Sequence, residues 1–120
     1  MRDFTKLKVW QKAHHLVLDI YRSTIEFPPE ERFGLSAHLR KTATSIGSNI
    51  AEGCGRDSEA ELARFMSIAA GSASEAEYQL LLARDLGYLT PRTHEDLHTE
   101  ISEVKKMLNS FKQKLNAAKS

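Results

Sequence analysis

A chain of 120 residues, 41% hydrophobic and 28% charged, fits one ordinary globular domain and is too apolar for a disordered one. With 17 Lys and Arg against 16 Asp and Glu the net charge is +1, so overall charge argues for neither nucleic acid nor membrane, and local clustering has to decide. A lone cysteine, Cys54, excludes an intramolecular disulfide; with no apolar leader over Met1 to Lys12 and no run of membrane-spanning length, a cytoplasmic protein with no membrane partner is expected.

Three prolines and six glycines leave long stretches of good helix formers. Val9, Trp10, Ala13, Leu16, Val17, Ile20 and Tyr21 recur at three- and four-residue steps, which predicts a first helix over about 7–26. Phe27, Pro28 and Pro29 stop it, because proline lacks the amide proton and biases its predecessor away from helical angles. After a connection to about Gly34, the stripe Leu35, Leu39, Ala43, Ile46 and Ile50 predicts a second helix over about 35–53. Gly53 and Gly55 follow, suited to a left-handed terminus.

Ser58 with Glu61 has the capping-box spacing, and Leu62, Phe65, Met66, Ala69, Ala73, Ala76, Leu80 and Ala83 stripe a third helix over about 58–86, closed by Gly87. Thr90 before Pro91 opens a fourth over about 91–117, where Leu97, Ile101, Val104, Leu108, Phe111 and Leu115 alternate four- and three-residue steps as a heptad seam does. Four amphipathic helices on short links must each bury one stripe. The expected fold is all-α, an up-and-down antiparallel four-helix bundle, with residues 1–120 as a single domain.

Tyr78, Leu81, Leu82 and Leu86 lie off the third stripe and make that helix apolar nearly all round, the pattern of an oligomer interface. His94-Glu95-Asp96-Leu97-His98 matches H-E-x-x-H, in which two histidines one turn apart hold zinc and the glutamate activates water. Against a hydrolase stand the charge of Asp96, the absence of a third ligand at a recognisable spacing, and the absence of any strand to align a substrate. Capping and surface roles for His94 and His98 are the competing reading. Gly53-Cys54-Gly55 follows a helix instead of a strand and lacks the lysine of a phosphate loop; Cys54 has no histidine placed to act as its base. No catalytic residue, cofactor or metal is expected.

On the second helix Ser45, Asn49, Glu52 and Arg56, preceded by Arg40, border the apolar stripe as a polar strip. It reads either as a hydrogen-bonded seam or as a partner-binding strip. Lys105, Lys112 and Lys119 continue a seven-residue spacing from His98, while Lys6, Lys8 and Lys12 make the N-terminal segment basic. If the first and last helices are neighbours, both lysine sets could form one phosphate-facing surface; the alternative is a solvated face with lysines favoured at a helix C-terminus.

Leu7-Lys8-Val9-Trp10-Gln11-Lys12-Ala13, Phe27-Pro28, Phe33-Gly34-Leu35, Ser45-Ile46 and Asn49-Ile50-Ala51-Glu52-Gly53 together resemble the 23S ribosomal RNA intervening-sequence protein family. Gly55-Arg56, Arg64-Phe65, Ala69-Ala70-Gly71-Ser72, Glu75 and Gly87-Tyr88-Leu89 extend the resemblance over nearly the whole chain. His38 and Ala73 depart from the pattern in ways that touch packing detail. The resemblance implies a four-helix bundle assembling into a ring, a homopentamer, with a gene often carried inside insertions of bacterial 23S ribosomal RNA genes; it implies no established activity. A related branch resembles the accessory proteins of diversity-generating retroelements, which meet nucleic acid through a strongly basic surface. The net charge of +1 weakens that carry-over. The expected partners are copies of the chain, RNA or DNA at the lysines, or a protein on a nucleic-acid-free scaffold.

Overall fold

The computed structural model describes residues 2–117. It contains four α-helices: α1 (Lys8–Thr24), α2 (Leu35–Cys54), α3 (Glu59–Asp85) and α4 (Pro91–Ala117), with 3-10 turns at Phe4–Lys6 and Pro29–Glu31. Contacts run α1–α2, α2–α3, α3–α4 and α4–α1 with none across the diagonals. The helices therefore stand at the corners of a square, and the α1/α2 face is opposite the α3/α4 face. The body measures 48 × 23 × 20 Å.

The predicted stripes meet on the bundle axis. Leu16, Ile20, Leu39, Ile46, Ile50, Met66, Leu80, Ile101 and Leu108 are all but sealed from solvent. Ala69, Ala73, Ala76 and Ala83 on α3 are fully buried as well, and such short side chains let neighbouring backbones draw near. Tyr21, by contrast, was expected in the first stripe and stands 43% exposed. It sits at the stripe's edge, where the Arg40 guanidinium covers its ring at 4.6 Å.

Local signals fix the helix ends with two exceptions. Ser58 Oγ accepts from the Glu61 amide at 3.1 Å, but the Glu61 carboxylate turns forward to Arg64, so only half of the capping box forms. Gly55 has φ −85°, an ordinary right-handed value, instead of the expected left-handed terminus. Gly53 serves α2 differently: a Cβ there would lie 2.8 Å from Phe65 Cβ, so its bare backbone is what admits α3. Gly87, at φ 80°, does close α3, with Tyr88 N–H bonding Ala83 O and Gly87 N–H bonding Arg84 O, the paired bonds of a Schellman motif.

One carboxylate ties the two loops at that end. Glu31 accepts from the Leu35 amide, capping α2 at 3.0 Å, and from the Tyr88 hydroxyl at 2.9 Å, while the Tyr88 ring packs on Phe27. The Leu35 amide, and after it the Tyr88 hydroxyl, hold the Glu31 carboxyl below its usual range; the same bond raises the Tyr88 phenol. Thr90 Oγ1 caps α4 by accepting from the Thr93 amide.

Candidate interaction surfaces

A groove of about 700 Å³ opens between α3 and α4. Tyr78 and Leu81 line it from α3, and Pro91, His94 and His98 line it from α4. Tyr78 is 61% exposed, Leu81 38% and Leu86 49%. Leu82 and Leu86, expected in the same patch, take no part in lining the groove, and Leu82 is half-buried.

This groove also holds the H-E-x-x-H segment. His94 is not a surface residue: it is 9% exposed, and burial first, then the Arg84 charge, keeps its imidazole below the usual range. Its ring lies 5.8 Å from that of His98, the two planes inclined by 26°. His98 Nε2 is 3.2 Å from Glu77 Oε2, and Lys105 Nζ donates to Glu77 Oε1 at 2.9 Å. The bond from Lys105 holds the Glu77 carboxyl low. Glu95 is exposed at the rim of the same groove. These histidines converge with Glu77 but form no ligand triad with it; among the described residues, the group with three donor atoms close enough for a metal is His15, Asp19 and Glu100.

On the opposite face, α1 and α2 enclose an apolar groove of about 370 Å³, lined by Trp10, Leu18, Tyr21, Gly47 and Ala51 among others. Past its end, at the α1–α2 loop, Ile25 is 73% and Phe33 83% exposed. Sequence periodicity missed this face. The available signals were Leu18, off the first stripe, and Phe33, an aromatic residue between Pro29 and Gly34 with no stripe to join.

The lysines divide between two sides of α4. The helices are antiparallel, so the N-terminal end of α1 lies beside the C-terminal end of α4: Lys12 pairs with Glu103 at 3.1 Å, and the Arg2 guanidinium lies over the Phe111 ring. Lys105, two residues beyond Glu103, projects to the other side of α4 and pairs with α3. The single phosphate-facing surface expected from both lysine sets is therefore interrupted by Glu77, Glu100 and Glu103. Lys6, Lys8 and Lys112 make no ion pair with another described residue. Lys119 lies outside the described residues.

The polar strip of α2 divides between contacts inside the fold, at Arg40 and Ser45, and a surface ion pair at Glu52 and Arg56. Ser45 Oγ meets Ser72 Oγ of α3 at 2.7 Å, Asn49 donates to Ser45 O of its own helix, and Arg56 pairs with Glu52 at 2.8 Å. Arg40 turns to α1, donating to Thr24 Oγ1 and Tyr21 O. Cys54 is buried, and burial pushes its thiol up, away from the reactive thiolate.

At the α1–α4 seam His15 Nδ1 lies 2.9 Å from Glu100 Oε1 and 3.3 Å from Asp19 Oδ2, while Arg22 donates to Asp19 Oδ1 at 3.0 Å. Burial, then the hydrogen bond to Asp19, pushes the Glu100 carboxyl up. Among the described residues no helix is long and apolar enough to cross a membrane.

Four antiparallel helices with unlike grooves on opposite faces and ion pairs across the α1–α4 and α3–α4 seams define a small four-helix-bundle protein whose features lie on its surface. Residues 5–110 match the 23S rRNA-intervening sequence protein family, and the chain belongs to it. It is similar to the crystal structure of a protein of unknown function from the S23 ribosomal protein family of Bacteroides thetaiotaomicron. That likeness is 27% identity over 88% of this chain and 95% of the other, with a TM-score of 0.80. No curated protein matches the chain.

Proposed function

We propose that the chain is a non-enzymatic bundle that self-associates into a ring, of five copies as the family resemblance implies, and that the ring binds RNA. The observation that carries this reading is the pair of unlike grooves on opposite faces, one apolar between α1 and α2 and one between α3 and α4 where Tyr78 and Leu81 stand among charged and imidazole groups. An isologous dimer uses one patch twice, whereas a closed ring joins one patch to a different one on the next copy. In support of a non-enzymatic role, burial holds the Cys54 thiol away from the reactive thiolate.

The RNA half of the reading rests on Lys6, Lys8 and Lys112, cations without an ionic partner among the described residues and repeated by every copy in the ring. A ring multiplies such weak contacts by avidity. Lys12 and Lys105 are partly neutralised by Glu103 and Glu77, which is the specific observation favouring the rival reading, a protein scaffold without nucleic acid.

Fluorescence anisotropy of a labelled, structured RNA titrated with protein at several salt concentrations separates the two. Released counterions should give a negative slope of log affinity against log salt, of about 0.9 per phosphate neutralised on a duplex. Replacing Lys6, Lys8 and Lys112 together by Gln should flatten that slope, and replacing Lys12 and Lys105 should change it less. Undetectable binding at low salt, with the assembly intact, leaves only the scaffold reading.

A further inference from the structure

Three side chains on two helices meet at the α1–α4 seam in a way that neither the bundle's assembly nor its lysines use. His15 and Asp19 stand one turn apart on α1, and Glu100 reaches them from α4. One donor atom from each, His15 Nδ1, Asp19 Oδ2 and Glu100 Oε1, makes a set whose members all lie within 4.8 Å of one another. Donors that each sit about 2.1 Å from a shared four-coordinate ion stand roughly 3.4 Å apart; the His15–Asp19 separation of 3.3 Å is close to that, and the His15–Glu100 hydrogen bond of 2.9 Å would have to open to admit an ion.

The surroundings orient the donors. Arg22 holds Asp19 by Oδ1, the oxygen turned away from His15, and so fixes the carboxylate with Oδ2 facing the cluster. Lys12, which lines the same hollow as His15 and Glu100, pairs with Glu103. The Asp19 and Glu100 side chains are only 27% and 25% exposed, so both carboxylates face the seam rather than open solvent, and His15, 66% exposed, leaves the outer side open to water ligands.

We propose that His15, Asp19 and Glu100 form a binding site for one divalent d-block cation, of which Zn²⁺ is the representative, that clips α1 to α4. One imidazole with two carboxylates is a donor set for zinc, cobalt, nickel or manganese; calcium and magnesium favour all-oxygen shells. An open position filled by water completes the coordination. The H-E-x-x-H segment that the sequence offers as a metal site is a separate place on the α3/α4 face and serves as the internal control.

Isothermal titration of Zn²⁺ into chelator-treated, full-length protein, with Mg²⁺ as a comparison, tests the assignment. One Zn²⁺ should bind per chain, with Kd tighter than about 100 μM, and with no comparable Mg²⁺ heat. His15→Ala and Glu100→Gln should each weaken Zn²⁺ at least tenfold, in line with the loss of one ligand. Both residues sit at a surface seam, and circular dichroism confirms that each variant keeps its helix content. His98→Ala should leave affinity within twofold. The proposal is overturned if His98→Ala abolishes binding while His15→Ala keeps it, if Zn²⁺ gives no saturable heat, or if helical His15→Ala and Glu100→Gln bind like the parent.

Discussion

Replacing Gly53 by Ala sets two effects of known size against each other. Alanine favours an α-helix over glycine by about 1 kcal/mol, so the change would help α2 if its surroundings were open. They are closed: the new Cβ would stand 2.8 Å from Phe65 Cβ and 3.0 Å from Leu62 Cδ1, where carbon contacts relax to about 3.5–4.0 Å. Phe65 Cβ is fixed to the α3 backbone and cannot swing aside, so α2 and α3 must part, an overpacking cost of about 1–3 kcal/mol. The net expectation is a destabilisation of about 1 kcal/mol. Gly71, in the middle of α3 with nothing within 4 Å of an added Cβ, is the matched comparison and should gain about 1 kcal/mol as alanine. For a chain of this length the unfolding entropy is about 0.25 kcal/mol per kelvin, so the two variants should melt roughly 8 °C apart, on opposite sides of the parent. Thermal unfolding followed by circular dichroism at one fixed protein concentration reads the difference. If Gly53→Ala rises with Gly71→Ala, the close α2–α3 approach described here is wrong.

Three further outcomes are expected. Leu18→Asp and Leu81→Asp disable opposite grooves, so each variant alone should run as a monomer in light scattering. Mixed, they should form a one-to-one heterodimer through the intact pair of faces; a variant that still assembles alone, or a mixture that stays monomeric, contradicts a head-to-tail arrangement. Glu77 titrates below its usual range in the folded state, so its contribution to stability is complete above about pH 4.5 and fades as pH falls through the lower folded value. The gap between parent and Glu77→Gln in urea midpoints should therefore be constant at neutral pH and narrow on acidification; a gap that widens toward acid contradicts the Lys105 contact as its origin. Gln79 is 9% exposed with its Oε1 buried and unpartnered, so Gln79→Leu removes an unmet acceptor and should raise stability by about 1 kcal/mol, or about 4 °C in the melt.

Periodicity located the four helices because a stripe such as Leu97, Ile101, Val104 and Leu108 is a property of one helix alone, readable without its neighbours. The ends of α3 were legible for the same reason: Ser58 and Gly87 act within a few residues of themselves. What sequence reading missed involves two helices. His15 and Asp19 are an unremarkable pair until Glu100, 81 residues past Asp19, arrives from α4. Glu103 and Lys105 look like one charged patch in the chain, yet two positions on a helix are nearly opposite, and each reaches a different neighbour. Gly53 was read as a stop because glycine's usual use is conformational; its role is to make room for Phe65. Tyr21 fell at the margin of its stripe, where the angle subtended by the next helix decides burial.

If the proposed ring forms, the two grooves also bear on its copy number. A block with unlike adhesive sides adds the next block at a fixed turn, so the size of the assembly is governed by the wedge between those sides and hardly by their stickiness. In the proposed ring, side chains such as Trp10 and Leu18 on α1, or Tyr78 on α3, that pad one edge of a groove would tilt that wedge. A few degrees of change there would alter how many blocks meet head to tail, or leave an open helical filament whose ends never meet.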